Sequence, residues 1–348
     1  MRNLIALFLA AIVPFPTISA SSVSDPPEIH ALSSVLMAED GEFLYERESD
    51  RMLPIASTTK LMTALVVIEN CDPEETVDIQ PEYCGVEGSS LYLRPGERYT
   101  VRELLLGLLL ASGNDAAIAL ACHCAGDADA FCGMMNRRAK ELGMRGSHFT
   151  NPHGLNEAGH YSTARDLAIL MLAAMNNDQL SDLMARDRAV VGAQTLINHN
   201  KLLQRCPGCV GGKTGYTEVA GRCLVSCVER DGLRLVCVTL NDLDDWNDHV
   251  CLYDWAYANY RMLVVNENNT RFEIPLLGGA MATASAVPAS ERKLLLPAAY
   301  DPEWSTELPF FVFAPVSKDS SAGRLFLLAD GKTLCEIPLI FAEDYPIP

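Results

Sequence analysis

The chain has 348 residues, of which 49% are hydrophobic and 21% are charged, and it carries a net charge of −18. This length is enough for two domains, and the composition is ordinary for a globular protein. The negative charge argues against nucleic acid as a partner, because neutralising phosphates requires clustered Lys and Arg. It also argues against holding on to anionic lipid by charge alone.

The first 20 residues have the pattern of a secretory signal peptide. Arg2 supplies a positive start, residues 4–13 form an apolar core, and Ile18-Ser19-Ala20 offers a small-residue cleavage site. The apolar core is too short to span a bilayer and is broken by Pro14 and Pro16, so we predict export to the cell-wall side of the membrane. Retention as an uncleaved anchor stays open, and no strong anchor is visible elsewhere in the sequence.

Helix and turn patterns follow in chain order. Alternation around Asp40-Gly41 predicts a hairpin, and residues 76–100 are rich in turn residues. Apolar periodicity predicts helices at about 57–69, at about 127–142 and at 249–263. It also predicts two helical segments separated by Ser112-Gly113-Asn114, and a helix that begins after Thr163 and Asp166, which are spaced as a capping box.

Residues 209–240 are strand-like and contain a strong two-residue turn, Asp231-Gly232. If this turn is type I′, Arg230 pairs with Leu233, and counting back pairs Cys227 with Val236. Cys227 and Cys237 then point to opposite faces, which argues against a bridge between them.

The pattern changes after about residue 265 to short strands separated by Gly, Pro and Asp. We therefore predict a signal peptide at 1–20, a catalytic domain at 28–265 and a small β-rich domain at 268–348.

Twelve cysteines in an exported chain raise the question of disulfides or a metal site. Cys206 and Cys209 form a CxxC pair, and Cys122 and Cys124 flank His123. Zinc usually needs two such ligand pairs, so the pattern favours buried thiols, with one bridge at most, over a metal site. We predict no metal and no cofactor, and a metal-binding protein remains an alternative.

The string Ser57-Thr58-Thr59-Lys60 opens a strongly apolar helix pattern. Positions i and i+3 of a helix share a face, so the Ser57 hydroxyl and the Lys60 amine can meet. A lysine shielded from water and close to another cation has a lowered pKa and can take the proton of a serine nucleophile. Backbone N–H groups at a helix start are suited to binding an oxyanion.

Two further strings strengthen this hypothesis. Ser112-Gly113-Asn114 lies between helical segments, and Lys213-Thr214-Gly215 lies in a strand flanked by glycines. Each alone has a structural explanation, as a loop and as a strand end. Together and in this order, the three strings match the set found in penicillin-binding proteins and class A β-lactamases.

From about Ala31 to Leu263 the chain resembles the serine D-alanyl-D-alanine carboxypeptidases, the low-molecular-mass penicillin-binding proteins. The resemblance includes "LPIASTTKLMTAL", "GSSLYLRPGERYTVRELLLGLLLASGNDAAIALA", "FTNPHGL", "GHYSTARDLA" and "GGKTGYTEVAGRCLV". It implies an α/β (α+β) serine β-lactamase/DD-peptidase-like fold, in which a five-stranded antiparallel sheet lies beside a helical lobe. The C-terminal β-rich region resembles the all-β domain of many members.

The resemblance implies three catalytic residues. Ser57 is the acylated nucleophile, Lys60 is the base for acylation, and Ser112 relays a proton toward the leaving D-alanine. It also implies that the backbone N–H groups of Ser57 and Tyr216 form the oxyanion hole.

Substrate binding is implied for Asn114, Lys213, Thr214, Gly215 and Tyr216. Asn114 is expected to bind the peptide amide and to orient Lys60. Lys213 is expected to keep Lys60 less basic and, with Thr214, to receive the terminal carboxylate of the substrate.

Two departures from related sequences affect the expected chemistry. No E-x-x-L-N string, which carries the deacylating glutamate of β-lactamases, occurs between Asn114 and Gly212. Some relatives place an arginine after the strand that follows the hairpin, but this chain has no Lys or Arg between Arg234 and Arg261. Carboxylate recognition must then rest on Lys213, Thr214, Thr217 or a cation distant in sequence, such as Arg222.

We therefore expect a penicillin-sensitive DD-carboxypeptidase that acts on the peptidoglycan stem peptide, with β-lactam antibiotics as covalent inhibitors. The alternatives are a β-lactamase or transpeptidase of the same fold and a non-catalytic penicillin-binding wall protein. The histidines His148, His153 and His160 are interpreted as loop and packing residues.

Overall fold

A computed structural model of the chain describes residues 23–329 and 332–348. The predicted signal peptide at 1–20 lies outside the described residues. The described chain divides into two compact units, 25–258 and 259–348, and residues 23 and 24 belong to the second unit. Among the described residues, no helix is both long enough and apolar enough to cross a membrane.

The first unit is built on one antiparallel sheet of five strands, as predicted from the resemblance. The unit contains nine strands: β1 (Ser33–Ala38), β2 (Phe43–Arg47), β3 (Thr76–Asp78), β4 (Arg98–Thr100), β5 (Arg188–Val191), β6 (Gln194–Ile197), β7 (Cys209–Thr217), β8 (Gly221–Arg230) and β9 (Leu233–Leu240). The order across the main sheet is β2-β1-β9-β8-β7, and β3–β4 and β5–β6 form two small antiparallel pairs.

The β8–β9 hairpin has the predicted register. Asp231 and Gly232 both have positive φ, +50° and +76°, as a type I′ turn requires. Arg230 pairs with Leu233, and Cys227 pairs with Val236, so Cys227 and Cys237 lie on opposite faces of the sheet. All twelve cysteine thiols are free.

The helices of this unit cover both faces of the sheet. They are α1 (Lys60–Asn70), α2 (Val101–Leu110), α3 (Asn114–Ala125), α4 (Ala128–Leu142), α5 (Ala164–Met175), α6 (Asp178–Ala185), α7 (Leu202–Arg205) and α8 (Asp245–Asn259). Helix α1 is buried along most of its length because α2, α3, α4, α5 and α6 surround it. Helix α5 packs on β1, β8 and β9, which connects the helical core to the sheet.

Helix α8 covers the other face of the sheet. The Ser226 hydroxyl is hydrogen-bonded to His249 Nδ1 (2.7 Å) and to the Tyr253 hydroxyl (2.8 Å). Neighbouring strand residues alternate in direction, and the adjacent Cys227 belongs to the core on the opposite side. The Tyr253 hydroxyl also donates to the Ser226 carbonyl and accepts from the Cys237 amide.

Two sequence predictions about helix ends need correction. The helix predicted for 249–263 ends at Asn259, because residues 260–265 form a strand that pairs with another strand of the second unit. Thr163 caps α5 by accepting the amide of Asp166, but the Asp166 carboxylate binds Gly146 N and Ser147 Oγ. The Asp166 carboxylate therefore anchors the loop at residues 146–147 instead of forming the second hydrogen bond of a capping box.

The second unit consists of strands, as predicted for the C-terminal region. They are β10 (Tyr260–Val265), β11 (Phe272–Leu277), β12 (Thr283–Pro288), β13 (Arg292–Pro297), β14 (Glu303–Glu307), β15 (Val312–Phe313), β16 (Ser321–Ala329) and β17 (Lys332–Phe341). Strands β10 and β13 pair with each other, and the other six form a sheet in the order β14-β16-β17-β12-β11-β15.

We predict that Tyr253→Phe lowers the free energy of unfolding by about 1–3 kcal/mol, because it leaves buried partners of the hydroxyl without a hydrogen bond. Urea denaturation followed by far-ultraviolet circular dichroism measures this loss. Tyr257→Phe, one turn along α8, is the matched control. Its half-buried hydroxyl donates to Val228 O and Leu233 O, and its loss should stay under about 1 kcal/mol. Equal losses for the two variants would contradict the role given to Tyr253.

Candidate active site

The turn that carries Ser57 explains the hydroxyl residues at the start of the apolar helix. Residues 56–59 form one turn of 3-10 helix before α1, and Ala56 takes a left-handed conformation with φ +45°. Thr58 Oγ1 donates to Ile55 O (2.6 Å), and Thr59 Oγ1 donates to Ala56 O (2.8 Å). The two threonines thus satisfy carbonyls of a buried, strained turn and hold Ser57 in place.

Lys60 has partners for all three of its N–H donors. Its Nζ lies 2.8 Å from Ser57 Oγ, 2.7 Å from Asn114 Oδ1 and 2.7 Å from the His153 carbonyl oxygen. The side chain is 0% exposed. A lysine buried in this way is tolerated because every donor is hydrogen-bonded.

Burial lowers the pKa of both lysines of the site. The pKa of Lys60 lies well below its ordinary value, first because the group is removed from water and second because the positive Lys213 is close. Burial lowers the pKa of Lys213 to about 7. Since the neighbouring charge adds to desolvation at Lys60, Lys60 is the lysine better suited to act as a neutral base.

Lys213 and Ser112 face each other across the site. Lys213 Nζ donates to Ser112 Oγ and to Thr214 O, both at 3.0 Å. Ser112 lies in the tight turn between α2 and α3 and has a positive φ of +61°. The structure therefore brings together Ser57, Lys60, Ser112, Asn114 and Lys213 from three separate parts of the chain.

Strand β7 passes very close to the Ser57 turn at Gly215. A Cβ atom at this position would lie 3.0 Å from Ile55 O and 3.0 Å from Ser57 N. A side chain there would push the strand away from the serine. Glycine is therefore needed for Tyr216, the next residue, to approach Ser57.

Asn114 and Asp115 fix the loop that borders the site. The Asn114 amide accepts from Lys60 through Oδ1 and donates to Glu87 O through Nδ2 (2.5 Å). The buried Asp115 carboxylate accepts from Ser90 Oγ and from the amides of Leu91 and Leu93. Sequence reasoning missed Asp115, although its position directly after Asn114 at a helix start favours a carboxylate.

The segment 151–160 supports the site from the other side. His160 Nδ1 accepts from Thr150 N, and its Nε2 lies 2.8 Å from Thr59 Oγ1, which donates elsewhere. Nε2 therefore carries the proton, and the imidazole is neutral, in line with a pKa that burial lowers to about 4. The interpretation of His160 as a packing residue agrees with these contacts.

Gly154 has the tightest contact of this segment. It has φ +89°, and a Cβ atom there would lie 1.9 Å from Ala56 O. Its neighbour His153 supplies the carbonyl that accepts from Lys60, a contact that sequence reasoning missed. In the sequence, this contact is marked only by the string "FTNPHGL", which supports the family resemblance but implies no role for His153.

An open cleft of about 370 Å³ gives access to the serine. It is lined by Ser57, Ser89, Ser112, His199, Lys201, Thr214, Gly215, Tyr216, Arg222, Asp245 and Trp246. Lys60, Asn114 and Lys213 are buried. Among the described residues that line the cleft, Asp245 is the one carboxylate, and Arg222 binds it.

The described residues contain one group of side chains close enough to share a metal ion. The ligand atoms of His30, Asp244 and Asp248 all lie within 4.8 Å of one another. The Asp248 carboxylate already binds His30 through the backbone N–H and Nδ1. Neither predicted cysteine cluster, 206/209 or 122–124, belongs to this group.

The geometry suits nucleophilic catalysis. A serine hydroxyl lies within hydrogen-bond distance of a buried amine of lowered pKa, and a second buried cation lies close behind a second serine. Such a site can deprotonate the nucleophile and bind an anionic group of a substrate.

Comparison with known proteins agrees with this chemistry. A family model described as Peptidase_S11, D-alanyl-D-alanine carboxypeptidase, matches residues 19–244. The D-alanyl-D-alanine carboxypeptidase DacF of Bacillus subtilis is 31% identical over 332 residues, which cover 90% of this chain and 85% of DacF. The corresponding enzyme DacB2 of Mycobacterium tuberculosis is 38% identical over 232 residues, covering 63% of this chain and 79% of DacB2.

A solved structure extends the likeness over both units. Penicillin binding protein 6B from Escherichia coli matches with a TM-score of 0.75 and 27% identity, and the match covers 93% of this chain and 98% of that protein. The family match over residues 19–244 spans more than half of the sequence. The chain therefore belongs to the D-alanyl-D-alanine carboxypeptidase family of serine peptidases.

Proposed function

We propose that the chain is a serine-type D-alanyl-D-alanine carboxypeptidase that removes the terminal D-alanine from peptidoglycan stem pentapeptides. The observation that carries this proposal is the distance of 2.8 Å between Lys60 Nζ and Ser57 Oγ, at a lysine that is 0% exposed. Membership of the family supports the reaction, and β-lactams are expected to acylate the same serine.

In the proposed reaction, Ser57 Oγ attacks the carbonyl carbon between the two D-alanines while its proton passes to Lys60. The backbone N–H groups of Ser57 and Tyr216 stabilise the oxyanion. Ser112 relays a proton to the departing D-alanine nitrogen, and the C–N bond breaks. Water then attacks the ester on Ser57, which releases the shortened peptide and restores the serine.

The substrate is proposed to bind along β7, as an added strand. Gly215 and Tyr216 lie beside the peptide, and the Asn114 amide faces its amide group while it orients Lys60. Thr214 receives the carboxylate end, and Lys213 acts on that end through its charge from beneath the cleft. No cofactor takes part in these steps.

The described cleft favours a carboxypeptidase over a β-lactamase. Its one carboxylate, Asp245, is paired with Arg222, whereas a deacylating glutamate would have to be close to Ser57. Glu157, the glutamate of the 151–160 segment, is exposed and accepts from Asn151. Transpeptidation and penicillin binding without turnover remain the alternatives, and product analysis with a stem pentapeptide separates both from hydrolysis.

We also propose that the protein is exported and acts at the cell wall, with catalysis confined to residues 28–265. All predicted site residues lie in the unit 25–258, which supports this division. Residues 268–348 are proposed to be a separate β-rich domain without catalytic residues.

We predict that benzylpenicillin adds its full mass to the peptide that contains Ser57. Ser57→Ala should abolish the adduct, because Ser57 Oγ is the hydroxyl that the described part of the chain places within hydrogen-bond distance of Lys60 Nζ. Mass spectrometry of the digested protein measures this. Ser90→Ala, which alters a bordering-loop serine that binds Asp115, should keep the adduct. A normal adduct in Ser57→Ala would refute the assignment.

We predict a bell-shaped dependence of the acylation rate on pH. Lys60 must be neutral to accept a proton, so the rate rises as pH passes its lowered pKa. Lys213 must keep its charge, so the rate falls as pH rises through about 7. Lys60→Ala should reduce the rate by about a thousandfold or more at every pH.

Lys213→His tests the falling limb of this profile. A buried imidazole has a pKa below its ordinary value of about 6.5, so the limb should move to a more acidic pH. Rates of acylation by benzylpenicillin between pH 5 and 9, about two units on each side of neutrality, measure the shift. Lys140→His on the exposed end of α4 is the control and should leave the limb in place. An unmoved limb in Lys213→His would show that another group sets it.

A further inference from the structure

The proposed substrate ends in a carboxylate, and the site lacks an obvious cation to bind it directly. No Lys or Arg occurs between Arg234 and Arg261, where some relatives were expected to supply one. Lys213 is 1% exposed, and its Nζ already donates to Ser112 Oγ and Thr214 O. Two of its three N–H donors are therefore in use, and Lys213 is not among the described residues that line the cleft, so we expect it to contribute charge rather than a direct pair.

Thr217, another candidate from the sequence, is also engaged. Its hydroxyl donates to Asn156 Oδ1 (3.2 Å) and accepts from Ala220 N (3.1 Å). It therefore has little capacity left for a carboxylate. Two cations remain among the described residues that line the cleft, Lys201 and Arg222.

Arg222 is placed on the strand next to the proposed substrate strand. It lies on β8 directly opposite Tyr216 of β7 and lines the same cleft as Ser57 and Thr214. Residues directly opposite each other on neighbouring strands project to the same face of a sheet. The guanidinium therefore lies on the face where Tyr216 and Thr214 border the cleft.

Asp245 and Trp246 hold this arginine in one position. Arg222 Nη2 lies 2.6 Å from Asp245 Oδ1, and the Asp245 side chain is 4% exposed while that of Arg222 is 44% exposed. The guanidinium carbon lies 5.9 Å from the centre of the Trp246 ring. The bond to Asp245 uses one of the five N–H donors, so donors remain for a second anion.

Lys201 lacks such support. It precedes the short helix α7, its side chain is exposed, and its amine has no hydrogen bond or ion pair among those found for the described residues. A flexible ammonium group loses more side-chain freedom on binding than an arginine that is already held, and it cannot bind a carboxylate through a planar fork.

We infer that Arg222 is the cation that binds the C-terminal carboxylate of the substrate, beside Thr214 and with Asp245 as its positioning residue. This inference rests on the proposed function and names a specificity determinant of that same site. Arg222 thereby takes the place of the cation that is missing after β9.

The test compares two substrates, N-acetyl-L-Lys-D-Ala-D-Ala and the same peptide with a C-terminal amide. The unmodified protein should prefer the acid. In Arg222→Gln, kcat/KM for the acid should fall by roughly 30- to 100-fold, as expected for the loss of charge-assisted hydrogen bonds, and KM should rise more than kcat falls. For the amide, kcat/KM should change by less than about threefold, because no charge pair is lost.

Two further variants separate the loss of the Arg222 charge from the effect of an unpaired Asp245 and from the loss of any nearby cation. Arg222→Gln leaves the buried Asp245 unpaired, so the double variant Arg222→Gln/Asp245→Asn tests the same loss without that charge and should show the same ratio of acid to amide. Arg234→Gln removes a cation that pairs with Glu229 on the hairpin and is the matched control. It should keep the preference for the acid.

Two results would overturn the inference alone. The first is that both Arg222 variants fold, are acylated by penicillin and keep the preference for the acid. The second is that Lys201→Gln abolishes this preference while Arg222→Gln does not. If the unmodified protein cleaves neither peptide and penicillin leaves Ser57 unlabelled, the proposed function fails and this inference fails with it.

Discussion

The site depends on the burial of one ammonium group. Lys60 is accommodated inside the protein because a serine, an asparagine and a backbone carbonyl each accept one of its three N–H donors. Those acceptors come from its own turn, from the start of α3 and from the segment 151–160. Because a buried amine without partners is costly, the meeting of the three segments at Lys60 stabilises the unit. The same burial lowers the pKa of the amine, so the constraint on folding and the capacity for catalysis have one cause.

The sheet and α8 join the site to the core of the unit. Strand β8 pairs on one side with β7, which carries Lys213, and on the other with β9. At its start Arg222 faces the cleft, and a few residues later Ser226 binds His249 and Tyr253 of α8. The first turn of α8 holds Arg222 through Asp245, while the middle of the helix packs on the sheet. The position of the cleft wall is therefore set by core packing as well as by local contacts.

Sequence reasoning succeeded where a local rule determines the geometry. The Asp231-Gly232 turn set the register of the hairpin, and the spacing of three residues brought Ser57 and Lys60 together. The meeting of Ser112 and Lys213 came from the family resemblance, since no local rule relates a turn to a strand 101 residues away. The His153 carbonyl escaped prediction because any residue type offers a backbone acceptor. The end of α8 was wrong because pairing between β10 and β13 overrides the helical periodicity of residues 260–263.

The free thiols of the main sheet have a consequence for the redox chemistry of the protein. Disulfide exchange requires a thiolate, and burial raises the pKa of Cys223 to about 12 and raises that of Cys237 well above its ordinary value. Both side chains are fully buried, so oxidants also lack access. Sheet cysteines of this kind are kinetically inert while the unit stays folded, and oxidative damage at these positions would report on prior unfolding of the sheet.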